Sequence, residues 1–339
     1  MRTKSQSSRC GQTGMKLTFV NVGYGEAILL ECADASREDG VFTALIDGGS
    51  GEEREYADRS LGRVPVWEYL QEKGVSHLDL MICTHIHEDH VSGMARTAAQ
   101  LPPGELWQGL PAAFYRSMRR LDPDAVQNPY RKKFIHALND YGELCRITAE
   151  NGGFIRKLAC GQVMSFGRGG QMEVLAPFRR DQEELEASLR ELYGEMSPER
   201  FLEKLTRLDG RMNNYSLILR ILYEDRRILL PGDAGRGDYA EIPGEKLRAD
   251  LFKVGHHGQK DGVSRELLKM VSPEAAVCCA SSDRRYDSAH PDVVSMLEQA
   301  GVKAYFSDCP QVPGMEIPPH RALEFQAAQG QPLSGQYIL

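Results

Sequence analysis

The sequence predicts an α/β protein. Apolar runs of strand length alternate with helix-patterned stretches along most of the chain, and residues able to hold a metal stand just beyond three of those runs. With 339 residues, 41% hydrophobic and 26% charged, the chain has an ordinary globular composition and is long enough to bury a large core.

The elements follow in order. Residues 15–22 (MKLTFVNV) read as a strand and Tyr24-Gly25 as a turn; 26–32 (EAILLEC) read as a second strand, apolar enough to be buried on both faces. A third strand, 41–46, runs into Asp47-Gly48-Gly49, a carboxylate in a tight turn. Residues 64–73 read as a helix, with Pro65 in the first turn and Gly74 just past the end. Strand 78–83 leads into Thr84-His85-Ile86-His87-Glu88-Asp89-His90, and a helix over 93–100 stops at Pro102-Pro103. Helical patches are expected at 111–121, 131–148, 181–193 and 198–208, with short strands at 154–158 and 162–175. The stretch 104–210 is therefore read as a largely helical insertion, over the site, in a single domain spanning 15–339. A hairpin of 214–223 and 226–230 ends in Pro231-Gly232-Asp233-Ala234, and strand 249–254 ends in Gly255-His256-His257-Gly258. Helix 264–271, strand 274–280, helix 291–300 and strand 302–306 complete the alternation.

A net charge of −7 gives no global attraction to nucleic acid or membranes, so a polyanionic partner would need a local basic patch. Arg116, Arg119, Arg120, Arg131, Lys132 and Lys133 offer one, although a solvated helix face explains the same residues. No apolar run approaches the roughly 20 residues of a membrane span. Residues 1–14 are polar, lack the apolar core of a secretion signal and are expected to be a disordered lead. The eight cysteines form no C-x-x-C pair, and reduced thiols in a cytoplasmic protein are expected.

Three histidines and one aspartate fall within the six residues 85–90. Imidazole and carboxylate are the ligand set of zinc and similar divalent ions. Asp233, and His256 or His257, stand at two further strand ends. Two such ions a few ångströms apart need an anionic bridge, which Asp233 would supply; neutral imidazoles would fill other positions and leave one open for water. Metal-bound water loses its proton near neutral pH and becomes a hydroxide nucleophile.

The order Asp-Gly-Gly, His-x-His-x-Asp-His, Gly-Asp, His resembles the metallo-β-lactamase superfamily. Within it, the chain is most similar to the soluble hydrolase domain of ComEC-type competence DNA-uptake proteins. Residues 21–29 (NVGYGEAIL) resemble that family's D-V-G-Q-G-D-A-I-L, and Asn213-Asn214-Tyr215-Ser216-Leu217 its N-N-x-S-L. Residues 231–234 (PGDA) resemble its T-G-D-A, 253–258 (KVGHHG) its K-V-x-H-H-G, and 286–291 a late H-P segment. The resemblance covers roughly 15–95 and 162–308 but not 104–160.

This resemblance implies an αββα four-layer sandwich with a two-metal site along one edge. His85 and His87 would hold one ion; Asp89, His90 and one of His256 and His257 the other; Asp233 would bridge. His256 is favoured as the ligand because it comes first after the strand, which leaves His257 as a supporting residue or proton donor. Asp47 would orient a ligand imidazole from behind. Many superfamily members have one more histidine before the bridging aspartate. Here only His136 lies in that interval, so Asn214 or Ser216 is expected to line the site instead. Zinc is the expected metal, with manganese the alternative for an oxygen-rich site. His290 is a candidate general acid, and His77 and His320 read as surface histidines. The expected function is a metal-dependent hydrolase of small-molecule or nucleic-acid phosphoesters. A thioester, lactam or lactone hydrolase, or a catalytically quiet metal-binding sensor, are the alternatives.

Overall fold

The computed structural model describes residues 14–328, 330 and 333–339; the expected disordered lead, Gly14 apart, lies outside them. Strands β1 (Met15–Val20), β2 (Ile28–Ala33), β3 (Val41–Ile46), β4 (Leu78–Ile82), β5 (Pro103–Gln108) and β6 (Phe154–Lys157) belong to a first sheet. A second sheet takes β7 (Val163–Phe166), β8 (Gly170–Ala176), β9 (Ile218–Tyr223), β10 (Arg226–Leu230), β11 (Leu251–Lys253), β12 (Ala275–Cys278) and β13 (Lys303–Phe306). The chain then returns to the first sheet with β14 (Ala322–Ala327) and β15 (Gly335–Ile338). The orders are β15-β14-β1-β2-β3-β4-β5-β6 and β13-β12-β11-β10-β9-β8-β7. Both sheets are mixed: β3 through β6 and β10 through β13 pair in parallel, and the remaining neighbours are antiparallel.

Helices α1 (Val66–Glu72), α2 (Glu88–Gln100), α3 (Pro129–Glu150), α4 (Arg179–Tyr193) and α5 (Pro198–Asp209) cover the first sheet. Helices α6 (Gly244–Leu247), α7 (Arg265–Val271) and α8 (Pro291–Gln299) cover the second. The period-two alternation of the strands builds these layers. Phe19, Leu30 and Ile46 meet Leu219, Leu230 and Val277 between the sheets. Leu29, Leu45 and Met81 turn outward to the first helical layer, and Leu229, Phe252 and Ala276 to the second. The chain therefore forms the expected αββα sandwich.

The stretch 104–210 contributes three helices and also four strands, two at the edge of each sheet. Residues 111–121 do not form the expected helix. They make a short 3₁₀ turn at Phe114–Ser117, and the Asn139 side chain of α3 takes up both Leu121 backbone groups, at 2.8 and 2.9 Å. Strands β5, β14 and β15 are additions to the sequence reading. β14 pairs with β1, some 300 positions away, so no local pattern announces it.

Candidate metal centre

Parallel pairing brings the candidate residues to one edge of the sandwich. β3 and β4 are neighbours, so Asp47, just past β3, faces Thr84 and His85, just past β4. β10 and β11 are likewise neighbours, so Asp233 faces the turn at 256–258. His87 precedes α2 in extended conformation, while Asp89 and His90 lie in its first turn, where the Asp89 carboxylate complements the helix dipole. A Cβ on Gly93 would stand 1.8 Å from the Gly48 carbonyl oxygen, so only glycine lets α2 lie this close to the β3 turn.

The hydrogen-bond partners assign the imidazole tautomers. Asp47 accepts from Thr84 N (2.9 Å), Thr84 Oγ1 (2.6 Å) and His90 Nδ1 (2.8 Å). With its own proton given to Asp47, Thr84 Oγ1 accepts from His85 Nδ1 at 3.1 Å, which leaves His85 Nε2 unprotonated. His87 Nε2 is 3.3 Å from Asp209 Oδ1, which leaves His87 Nδ1 unprotonated and 3.1 Å from His85 Nε2. Two facing lone pairs repel unless a cation lies between them, and burial holds both imidazoles below their ordinary pKa.

The second group comprises Asp89, His90, Asp233 and His257, whose ligand atoms all lie within 4.8 Å of one another. His257 Nδ1 donates to the Cys279 carbonyl at 2.8 Å, and its Nε2 sits 3.0 Å from Asp233 and 3.1 Å from Asp89. His90 Nε2 is 3.3 Å from both Asp233 Oδ2 and His257 Nε2. Burial disfavours charge on both imidazoles, but the surrounding carboxylates outweigh it: His90 is pushed well above its ordinary pKa and His257 to about 9. Burial likewise opposes ionisation of Asp233, and the two imidazoles with Lys253 overcome it and hold that carboxyl low. The carboxylates thus demand positive charge at this point. A divalent ion held by Asp89, His90, Asp233 and His257 would meet that demand in place of the imidazole protons, so the donor set fits a metal.

The structure brings His85, His87, Asp89, His90 and Asp233 together at one edge, with Asp47 and Ser216 behind; Ser216 Oγ accepts from Asp233 N at 3.2 Å. Three placements change. His257, not His256, enters the cluster. Both residues have left-handed φ, 48° and 53°, and this turn sends His256 outward to Asp261, 3.0 Å from its Nδ1. Asn214 is exposed; its neighbour Asn213 faces the site, because the 3₁₀ turn Met212–Tyr215 rotates adjacent side chains apart. His290 is the N-cap of α8 and its Nδ1 accepts from Asp292 N at 3.1 Å, which commits it to the helix end. His136 is exposed on α3, and His320 is buried away from the site, its Nε2 3.1 Å from the Ser307 carbonyl.

Several residues at the centre were not singled out by the sequence reading. Lys253 is fully buried, paired with Glu26 and Asp233 (3.2 Å), and donates to the Gly232 carbonyl at 2.6 Å. The hint was available: a lysine inside an apolar strand and a glutamate before another. Asp209 ends α5 and is also paired with Arg131. A cleft of about 290 Å³ opens over the cluster, walled by Tyr24, Tyr130, Lys133, Phe134 and Tyr286. The Tyr24 ring lies tilted 4.6 Å from His257 and edge-on 4.9 Å from Tyr286, and Tyr130 lies 6.1 Å from Tyr286. Tyr130, Lys133 and Tyr286 also border a wider groove of about 840 Å³.

Residues 25–117 match the metallo-beta-lactamase superfamily. ComE operon protein 3 of Bacillus subtilis (strain 168) is 23% identical over 252 residues, which are 74% of this chain and 26% of that protein. The chain thus spans about a quarter of that relative's length. Igni18, a metallo hydrolase from Ignicoccus hospitalis, superposes with a TM-score of 0.47 at 12% identity, covering 92% of this chain and 100% of that one. A metal-dependent hydrolase described as putative, from Parabacteroides distasonis, gives 0.42 at 13%, covering 87% and 94%. Among the described residues no helix is long and apolar enough to cross a membrane.

Proposed function

We infer that this chain, a member of the metallo-beta-lactamase superfamily with a candidate His/Asp metal site, hydrolyses phosphoester bonds in the manner of a phosphodiesterase or nuclease. The observation that carries this reading is the pair of adjoining donor groups, His85 with His87 and Asp89, His90, Asp233 with His257, at the floor of an open cleft with a lysine on its wall. Two divalent ions, zinc or manganese, supply Lewis acidity and neutralise the charge that develops in such a hydrolysis.

The chain's own residues do the positioning. Asp47 and Asp209 fix the imidazole tautomers, while Lys253 holds the outer oxygen of Asp233. Lys133 lies 3.8 Å from both Glu52 and Glu88, loosely enough paired to turn toward a phosphate. The tyrosine walls provide flat faces for a base or other ring. A cytoplasmic setting fits the free cysteines of the described residues.

The test is turnover of bis-p-nitrophenyl phosphate, cyclic nucleotides, RNA and single-stranded DNA by the purified chain with zinc or manganese. Hydrolysis that disappears with chelator and in His87→Ala supports the reading. Turnover of thioesters, lactams or lactones alone would transfer the site to that chemistry, and metal uptake without any turnover would make the chain a binding module.

A further inference from the structure

Among the described residues the His85–His87 position has two nitrogen donors and no third imidazole. We propose that Asn213 supplies the missing ligand through its amide oxygen, and that this oxygen shifts the position's preference from zinc toward manganese. The proposal rests on the two-metal reading of the site.

The amide orientation follows from its neighbours. His256 Nδ1 faces Asp261 at 3.0 and 3.1 Å to the two carboxylate oxygens, so Nδ1 carries the proton and Nε2 accepts. Asn213 Nδ2 stands 3.0 Å from that Nε2 and must be the donor. The other end of the amide, Oδ1, is consequently turned away from His256. It is buried and accepts no hydrogen bond among the described residues. A buried carbonyl oxygen without a donor costs stability, and the few found in folded proteins call for an explanation. Here the explanation is close by: Asn213 lines the same cleft as His87 and Asp233. A cation at the His85–His87 nitrogens would satisfy the orphaned oxygen as well.

The remaining polar groups near this position are already engaged. Asp209 is taken up by His87 Nε2 and Arg131, Ser216 by Asp233 N, and His256 by Asp261 and Asn213 itself. An amide oxygen is a harder donor than imidazole. A position of two nitrogens and oxygens suits manganese better than one of three nitrogens, which suits zinc. His256 acquires a role here too, as the residue that fixes the amide rather than as a ligand.

The experiment is metal binding by isothermal titration, with manganese(II) and zinc(II) in turn, supported by manganese electron paramagnetic resonance. The wild-type chain is expected to take up two ions. Asn213→Ala should keep one ion at Asp89, His90, Asp233 and His257 and bind the other at least tenfold more weakly. Asn213→Asp should retain both, and Asn213→His should raise the preference for zinc over manganese at the weakened position at least tenfold. Thermal melting of each metal-free variant confirms that it folds. A single ion in the wild type, or two ions of unchanged affinity in Asn213→Ala, would overturn the proposal. Neither result depends on turnover: a chain with two ions and no hydrolysis would defeat the hydrolase reading and leave Asn213 as a ligand.

Discussion

Asp47 and His90, 43 positions apart in the chain, meet at 2.8 Å through a carboxylate oxygen that also accepts from Thr84 Oγ1 at 2.6 Å. One side chain thereby orients an imidazole in each group: His90 directly and His85 through the threonine. Removing it in Asp47→Ala should weaken divalent-ion binding by about 10- to 100-fold while the sheets persist. Competition with a chromogenic chelator measures this, and an unchanged affinity would strip Asp47 of the role.

His257→Ala should abolish binding at the Asp89–His90–Asp233 group and any hydrolysis with it, since its Nε2 faces both carboxylates. His256→Ala should leave that group in place and perturb Asn213 instead. Metal stoichiometry of the two variants separates these outcomes, and equal losses would contradict the geometry.

Lys253 compensates two buried carboxylates, Glu26 and Asp233. Lys253→Met should destabilise the metal-free protein by about 3–5 kcal/mol, because a carboxylate is left buried and unpaired. Glu26→Gln in the same chain should recover part of the loss. Urea unfolding of the single and double variants gives the coupling; simple additivity would show that the pair is not acting as a unit.

Glu88 is pushed by burial from the ordinary 4.5 to about 7, against hydrogen bonding from Ser50 and the charge of Lys133. The fold therefore favours its neutral form. Its contribution is fully present below pH 4.5 and is lost as pH rises toward 7, an effect of up to ~3 kcal/mol in the metal-free chain. Relative to Glu88→Gln, the wild type should lose stability across that window in chelator. Parallel curves for the two proteins would count against the shift.

The strand-end residues were legible because strand–turn–ligand is a local pattern, and parallel pairing needs only neighbouring strands to bring such ends together. Asp47, His85, His87, Asp89, His90 and Asp233 all follow that logic. The choice between His256 and His257 depended on two successive left-handed residues, and that between Asn213 and Asn214 on a single 3₁₀ turn. Neither backbone state is written in residue type. Glu26, Lys253 and Asp209 acquire meaning only from partners distant in the chain.

Asp89 and His90 hang from the first sheet, Asp233 and His257 from the second. Their cluster is a clasp across the seam between the two sheets. The four donors come together only when the sheets have docked, so an ion bound there favours the assembled molecule. At a hundred times its Kd it adds about 2.7 kcal/mol by mass action. Chelation should therefore loosen the seam before it disturbs the strand pairing within either sheet, and amide exchange along the facing edges of the two sheets would register it first.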